Sequence, residues 1–236
     1  MQPELWKRRG GKRPGAGRPK RGLRASERHV KRPRLRASEP VHVIIRAVKG
    51  LPSLRTRAMW LAIREATLVV AWRSDFRIVH ASVQRTHVHL IVEAEHRMAL
   101  ASGMKAFQIS AAKHINAALR GGDGKRRKGQ VFADRYHAVI LKSPRQVRNT
   151  IAYVLNNWRH HDEDRQGSAQ AWLVDPFSTA VQFTGWKERE REGRFRVRST
   201  YQPLHVWEPR TWLLSVGWRR RGLVSVYEVP GGDRVE

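Results

Sequence analysis

The sequence predicts an α+β domain built on an antiparallel sheet, and three observations predict it. Short stretches of alternating or β-branched apolar residues occur at 41–48, 76–83, 87–94 and 131–141, each of strand length. Two longer stretches between them, Ser53–Trp72 and Met98–Leu119, carry apolar residues at helical spacing. Only Gln84-Arg85-Thr86 separates the second and third strand stretches, which is hairpin length. The resulting order is β-α-β-β-α-β followed by one more helix. That is the order of the ferredoxin-like fold, the sheet also found in RNA-recognition domains, with helices packed on one face.

Taken in order, Val41-His42-Val43-Ile44-Ile45-Arg46-Ala47-Val48 reads as the first strand, closed by Gly50-Leu51-Pro52. Ser53 is positioned to cap the first helix, which carries Leu54, Trp60, Ile63 and Leu68. Phe76–Val83 and the strand beginning at His87 form the expected hairpin. The long helix that follows carries Met104, Phe107, Ile109, Ile115 and Leu119. Residues 120–129 form a glycine-rich loop with five basic residues, Lys125, Arg126, Arg127 and Lys128 among them. The loop reads either as a connector or as a clamp on a nucleic-acid backbone. It lacks the Gly-Lys-Ser/Thr ending of a nucleotide-binding P-loop. Val131-Phe132-Ala133 and Tyr136–Leu141 supply the last strand. Ser143-Pro144-Arg145-Gln146 starts the final helix with a capping serine, a first-turn proline and a glutamine three residues on.

Composition narrows the function. The chain has 236 residues, 47 of them basic and 20 acidic, for a formal charge of +27. Such an excess predicts a polyanionic partner, nucleic acid before membrane. The absence of cysteine excludes disulfides, thiolate metal sites and cysteine nucleophiles. No run approaches the roughly 18 apolar residues of a membrane span, so the expected setting is cytoplasmic, at the nucleoid. Residues 1–40 hold fourteen Lys/Arg against three Glu and read as a basic disordered arm. Within it, Gly15-Ala16-Gly17-Arg18-Pro19-Lys20 resembles an AT-hook core, making Arg18 and Lys20 candidate DNA contacts. A generic phosphate-binding tail is the plainer alternative. Residues 41–160 form the expected main folded domain. Beyond them, His161–Ser168 reads as a linker to an extension, 161–236, rich in tryptophan. Six of the nine tryptophans, Trp158, Trp172, Trp186, Trp207, Trp212 and Trp218, lie beyond Asn157. They serve either to dock the extension on the main domain or to stack on bases. Pro209–Gly217 reads as a short helix, followed by Arg219-Arg220-Arg221.

The chemistry concentrates at two places. In Thr86-His87-Val88-His89-Leu90-Ile91-Val92-Glu93 the imidazoles are two residues apart on a strand, so both project from one face. Together they make half of a site for a divalent metal, and imidazole alone also admits zinc or nickel. Glu93 alternates with them and is a candidate to assist indirectly. In Asn149–Asn157, Tyr153 and Asn157 are four apart and share a helix face. His87, His89 and the Asn157 side-chain oxygen supply three metal ligands, and Tyr153 the nucleophile, for metal-assisted phosphodiester transfer. His42, His80, His114, His137, His160 and His161 read as structural or phosphate-contacting. A water-activating hydrolase leaves Tyr153 without a role and lacks a carboxylate ligand set.

This combination resembles the single-tyrosine HUH endonucleases, that is, the IS200/IS605-type transposases and the REP-associated tyrosine transposases, over residues 41–160. The resemblance implies a ferredoxin-like platform and Mg²⁺ or Mn²⁺ as cofactor. It also implies cleavage of single-stranded or hairpin DNA, such as flanking repeats, through a 5′-phosphotyrosine link and a free 3′-OH. Its members act either as homodimers or alone. Two positions depart from the family: Thr86 stands where many relatives have Asn, and Asn157-Trp158 where REP-associated relatives often have Asn-Pro. The alternative is a catalytically inactive, domesticated nucleic-acid-binding protein. Against a base-stacking RNA-recognition domain, the central strand offers His87 and His89 rather than aromatic platforms.

Overall fold

In strand β1 (Val41–Arg46) the alternation sorts the residues by face. Val41, Val43 and Ile45 are fully buried in a core with helix α1 (Arg57–Ala71) and helix α2 (Arg97–Ala118), while His42, Ile44 and Arg46 turn the other way. The same parity governs strand β3 (His87–Ala94). Val88, Leu90 and Val92 join that core, and His87, His89, Ile91 and Glu93 face the opposite side. Strand β2 (Phe76–Val83) pairs with β3, and a bulge between Ile78 and His80 puts Val79 and His80 on the histidine face together. Strand β4 is short, His137–Ile140. The sheet order is β2-β3-β1-β4 with every neighbouring pair antiparallel, which is the ferredoxin-like arrangement. The computed structural model describes residues 33–119, 124–165, 172–188 and 200–229.

Several local expectations shift by a turn. Thr56, not Ser53, caps α1 by accepting from the Met59 amide at 3.3 Å; Ser53 instead accepts from the Arg55 amide. Only the Phe132–Ala47 bridge forms from Val131–Ala133. Helix α3 (Pro144–Leu155) begins where the sequence placed it, with Ser143 Oγ accepting from the Gln146 amide at 3.2 Å. The reciprocal Gln146 bond goes to the Lys142 amide, one residue earlier than in the usual capping box.

Helices α1 and α2 cover one face of the sheet, as expected. Helix α3 covers the other. It packs Val147, Ile151, Ala152, Val154 and Leu155 into a second core with Val79 and Ile91. The extension completes that core with Val174, Ala180, Phe183, Trp186, Leu214, Trp218 and Val224. It also covers the edge strand β2, whose unpaired backbone groups would otherwise face water or another chain. The Val83 amide donates to Phe177 O at 2.8 Å, the Ala81 amide to Thr179 Oγ1 at 3.1 Å, and the Trp207 amide to Ile78 O at 2.9 Å. Arg55 makes two 2.9 Å bonds to the buried Asp175 and a 2.8 Å ion pair with Glu163. The expected linker thus holds a residue, Glu163, in a buried ionic network. Trp158, Trp186 and Trp218 are all buried, which is docking, whereas Trp207 and Trp212 remain about half exposed.

Candidate active site

The site grows from the register of β1 against β3. Ile44 lies opposite His89 and Arg46 opposite His87, so His42 sits diagonally beside His89 on the same face. His42 Nε2 lies 3.1 Å from His89 Nδ1, with the two rings nearly coplanar, edge to edge, and their centroids 5.3 Å apart. His87 stands edge-on to His89 at 4.7 Å, its Nδ1 3.3 Å from Thr86 Oγ1. From above, α3 brings the Tyr153 ring to 5.3 Å from His89, perpendicular to it, and to 6.0 Å from His42.

Asn157 is not on an unbroken helix with Tyr153. Asn156 leaves helical geometry (φ −104°, ψ 13°), and a short helix α4 (Asn157–His160) restarts beyond it. The break is fastened by Asn156 Nδ2, which donates to Ser225 O in the extension at 2.9 Å. Asn157 is fully buried, and its Nδ2 lies 3.2 Å from His89 Nε2. After α4 the chain turns so that the His161 ring comes to 5.7 Å from His87.

Burial keeps these imidazoles neutral. Desolvation, reinforced by neighbouring imidazoles, pushes His89 down to about 2. Desolvation, then the charges of His161 and Arg46, lowers His87 to about 4. Desolvation and then His137 lower His42 to about 4. At neutral pH each ring therefore offers a lone pair.

Among the described residues no group of three or more His, Cys, Asp and Glu forms a metal cage. The donor set that does fit a divalent cation is two imidazoles and an amide oxygen. Asn157 Oδ1 is buried without a hydrogen-bond partner among the described residues, an arrangement that costs about 1–3 kcal/mol unless a ligand compensates it. His87, His89 and Asn157 carry no charge, so a cation held by them keeps its full attraction for a phosphate.

His87, His89, Tyr153 and Asn157 are thus brought together. Sequence reasoning missed His42 and His161 as neighbours of the pair. The alternation in β1 showed that His42 faces away from Val41 and Val43, but only the β1–β3 register shows what it meets. Glu93 does not attend the histidines: its carboxylate, 4% exposed, accepts from the Arg210 and Thr211 amides. In the basic loop, Lys125, Arg126 and Lys128 are exposed, while Arg127 is drawn back to Asn116 Oδ1 at 2.7 Å and Gln130 O at 3.0 Å. Arg18 and Lys20 lie outside the described residues. Among those described, no helix is long and apolar enough to cross a membrane.

The family model for IS200-like transposases matches residues 38–157, the segment that contains His42, His87, His89, Tyr153 and Asn157. Among solved structures, a REP-associated tyrosine transposase bound to a REP hairpin is similar at 15% identity and a TM-score of 0.53. The likeness covers 78% of this chain and 99% of that one. At that identity it speaks for the shared fold, which extends past the family model into the extension. A search of curated proteins gave no match. With half of its length matched by that model, around a histidine pair and a tyrosine on the elements just described, the chain belongs to the IS200-like transposase family.

Proposed function

We propose that this transposase is a metal-dependent, single-tyrosine endonuclease and strand transferase acting on single-stranded or hairpin DNA. The observation that supports it is the convergence of three elements on His89. His87 accompanies it on β3, Tyr153 stands over it from α3 at 5.3 Å, and Asn157 meets its Nε2 at 3.2 Å. The phosphotransfer site lies within residues 41–160, and residues 161–236 brace α3 from behind.

In this reading His87, His89 and the Asn157 side-chain oxygen hold Mg²⁺ or Mn²⁺. Such an ion, when bound, neutralises charge on a non-bridging oxygen of the scissile phosphate. The neutrality of the three ligands suits that task. Tyr153, half-buried and with no hydrogen-bond partner for its hydroxyl among the described residues, is the nucleophile. Its oxygen bonds to phosphorus, the bond from phosphorus to the 3′ oxygen breaks, and the phenolic proton is balanced by the one the 3′-OH gains. A 5′-phosphotyrosine remains. Because one phosphodiester replaces another, the 3′-OH of a second strand can reverse the step without a nucleotide cofactor. Hairpin DNA is proposed by likeness to the structural neighbour. Lys125, Arg126, Lys128 and the basic arm, with Arg18 and Lys20, supply sequence-independent backbone contacts.

The test is covalent trapping. Wild-type protein and Tyr153→Phe are mixed with labelled hairpin DNA from beside the gene, with Mg²⁺ or Mn²⁺. A denaturation-resistant adduct in wild type alone, abolished by EDTA, is the expected result. Equal DNA binding by both proteins with no adduct, across metals and flanking sequences, leaves a non-catalytic nucleic-acid-binding protein instead.

A further inference from the structure

We propose that His42 is a positioning residue that fixes the ring-proton arrangement of His89, keeping Nε2 unprotonated and so able to bind a metal; this rests on the metal reading above. His42 Nε2 and His89 Nδ1 face one another at 3.1 Å. Two nitrogens in that contact share a single proton, because two N–H groups pointing at each other repel and two lone pairs make no bond. Which ring owns the proton is decided at the far side of His89. There Nε2 faces Asn157 Nδ2 at 3.2 Å, and an amide nitrogen can only donate. His89 Nε2 is therefore the acceptor, its proton resides on Nδ1, and His42 Nε2 receives it.

That order is the one a metal ligand needs. A histidine binding through Nε2 must carry its proton on Nδ1, and an acceptor fixed behind that proton orients the ring and raises its basicity. Here the acceptor is another imidazole, held in place by β1. His42 is 9% exposed, and its ring lies within 18° of the plane of the His89 ring, so the in-plane contact fixes that ring's tilt as well as its proton. A carboxylate in this position would have added negative charge; an imidazole leaves the site neutral and its cation free to attract phosphate. The Tyr153 ring stands edge-on to His42 at 6.0 Å, so His42 also limits where the nucleophile's ring can lean.

The experiment has two readouts besides activity. In metal-free wild-type protein, ¹⁵N–¹H correlation spectra of the imidazoles report which His89 nitrogen is protonated, and Mn²⁺ titration reports affinity. Both are repeated in His42→Gln, whose amide oxygen can replace the Nε2 acceptor, and in His42→Phe, whose apolar ring removes the acceptor. Expected are the Nδ1-protonated form in wild type and in His42→Gln, with Mn²⁺ affinities within about threefold of each other. His42→Phe is expected to give a mixture of the two forms and to lose about 10- to 100-fold in affinity. Wild-type His89 protonated at Nε2 overturns the inference and needs no variant to fold. So does a folded His42→Phe that keeps both the Nδ1 form and the wild-type affinity. Wild-type protein that binds no Mn²⁺ overturns the metal reading itself, and the inference with it.

Discussion

Replacing Glu93 with glutamine separates the histidine pair from the extension that shares its sheet face. Glu93 lies four residues past His89 on the same side of β3, yet its oxygens are spent elsewhere. Oε1 accepts from the Thr211 amide at 2.8 Å and the Arg210 amide at 3.1 Å; Oε2 accepts from the Arg210 amide at 2.9 Å and lies 3.5 Å from Arg77 Nε. These contacts sit where the extension enters helix α5 (Trp212–Ser215). Glutamine keeps one acceptor and turns the other into a donor aimed at an N–H and a guanidinium. Charge-assisted bonds contribute about 1.5–3 kcal/mol each, and removing one partner of a buried ion pair costs about 3–5 kcal/mol. With one oxygen retained, the expected loss is about 3 kcal/mol. It is read as a lowered urea midpoint with faster hydrogen exchange at the amides of Arg210, Thr211 and Leu214. Mn²⁺ affinity is expected to stay at the wild-type value. The reasoning fails if Mn²⁺ affinity drops while those amides stay protected, because Glu93 would then serve the site and not the extension.

Three further outcomes follow from particular contacts. Gly103→Ala should destabilise the protein by about 1–3 kcal/mol, the cost of overpacking, although helix propensity alone predicts a gain. The added Cβ meets the Phe76 ring at 2.3 Å, and a raised thermal midpoint would contradict this. His80, enclosed by Phe183 and Thr179, is lowered by burial from 6.5 to about 4. Because the folded value is depressed, the unfolded chain protonates first, and the stability His80 contributes is full above about pH 6.5 and is lost as pH falls toward 4. That loss is about 1–3 kcal/mol, solvent access to the half-buried residue reducing the full shift. It is measured as the difference in urea midpoints between wild type and His80→Phe across that range; parallel curves refute it. Finally, Arg219, Arg220 and Arg221 are exposed, two of them lying over Trp218 and Trp212 at 4.9 and 5.0 Å. Replacing all three with alanine should lower the salt slope of single-stranded DNA binding by about 2. An unchanged slope would put the DNA path on another surface.

The local patterns carried much of the fold and part of the site. Alternation in Val88-His89-Leu90 and Val41-His42-Val43 determined the strands and put His87 beside His89, since side-chain direction along a strand depends only on parity. Ser143, Pro144 and Gln146 determined where α3 begins, whereas the four-residue spacing of Tyr153 and Asn157 did not show the break at Asn156 between them. Strand order followed from the sequence of elements. Tertiary structure alone decided that α3 covers the second face, because a lone Ile91 among His87, His89 and Glu93 does not by itself call for a covering helix. It also decided that His42 backs His89, a matter of register between strands 47 residues apart, and that Glu93 holds the extension instead of the metal site. The extension's role could not be read locally for the same reason. Phe177, Thr179 and Trp207 have no periodicity of their own, and they take up their positions from the unpaired edge of β2, which exists only once the sheet has formed.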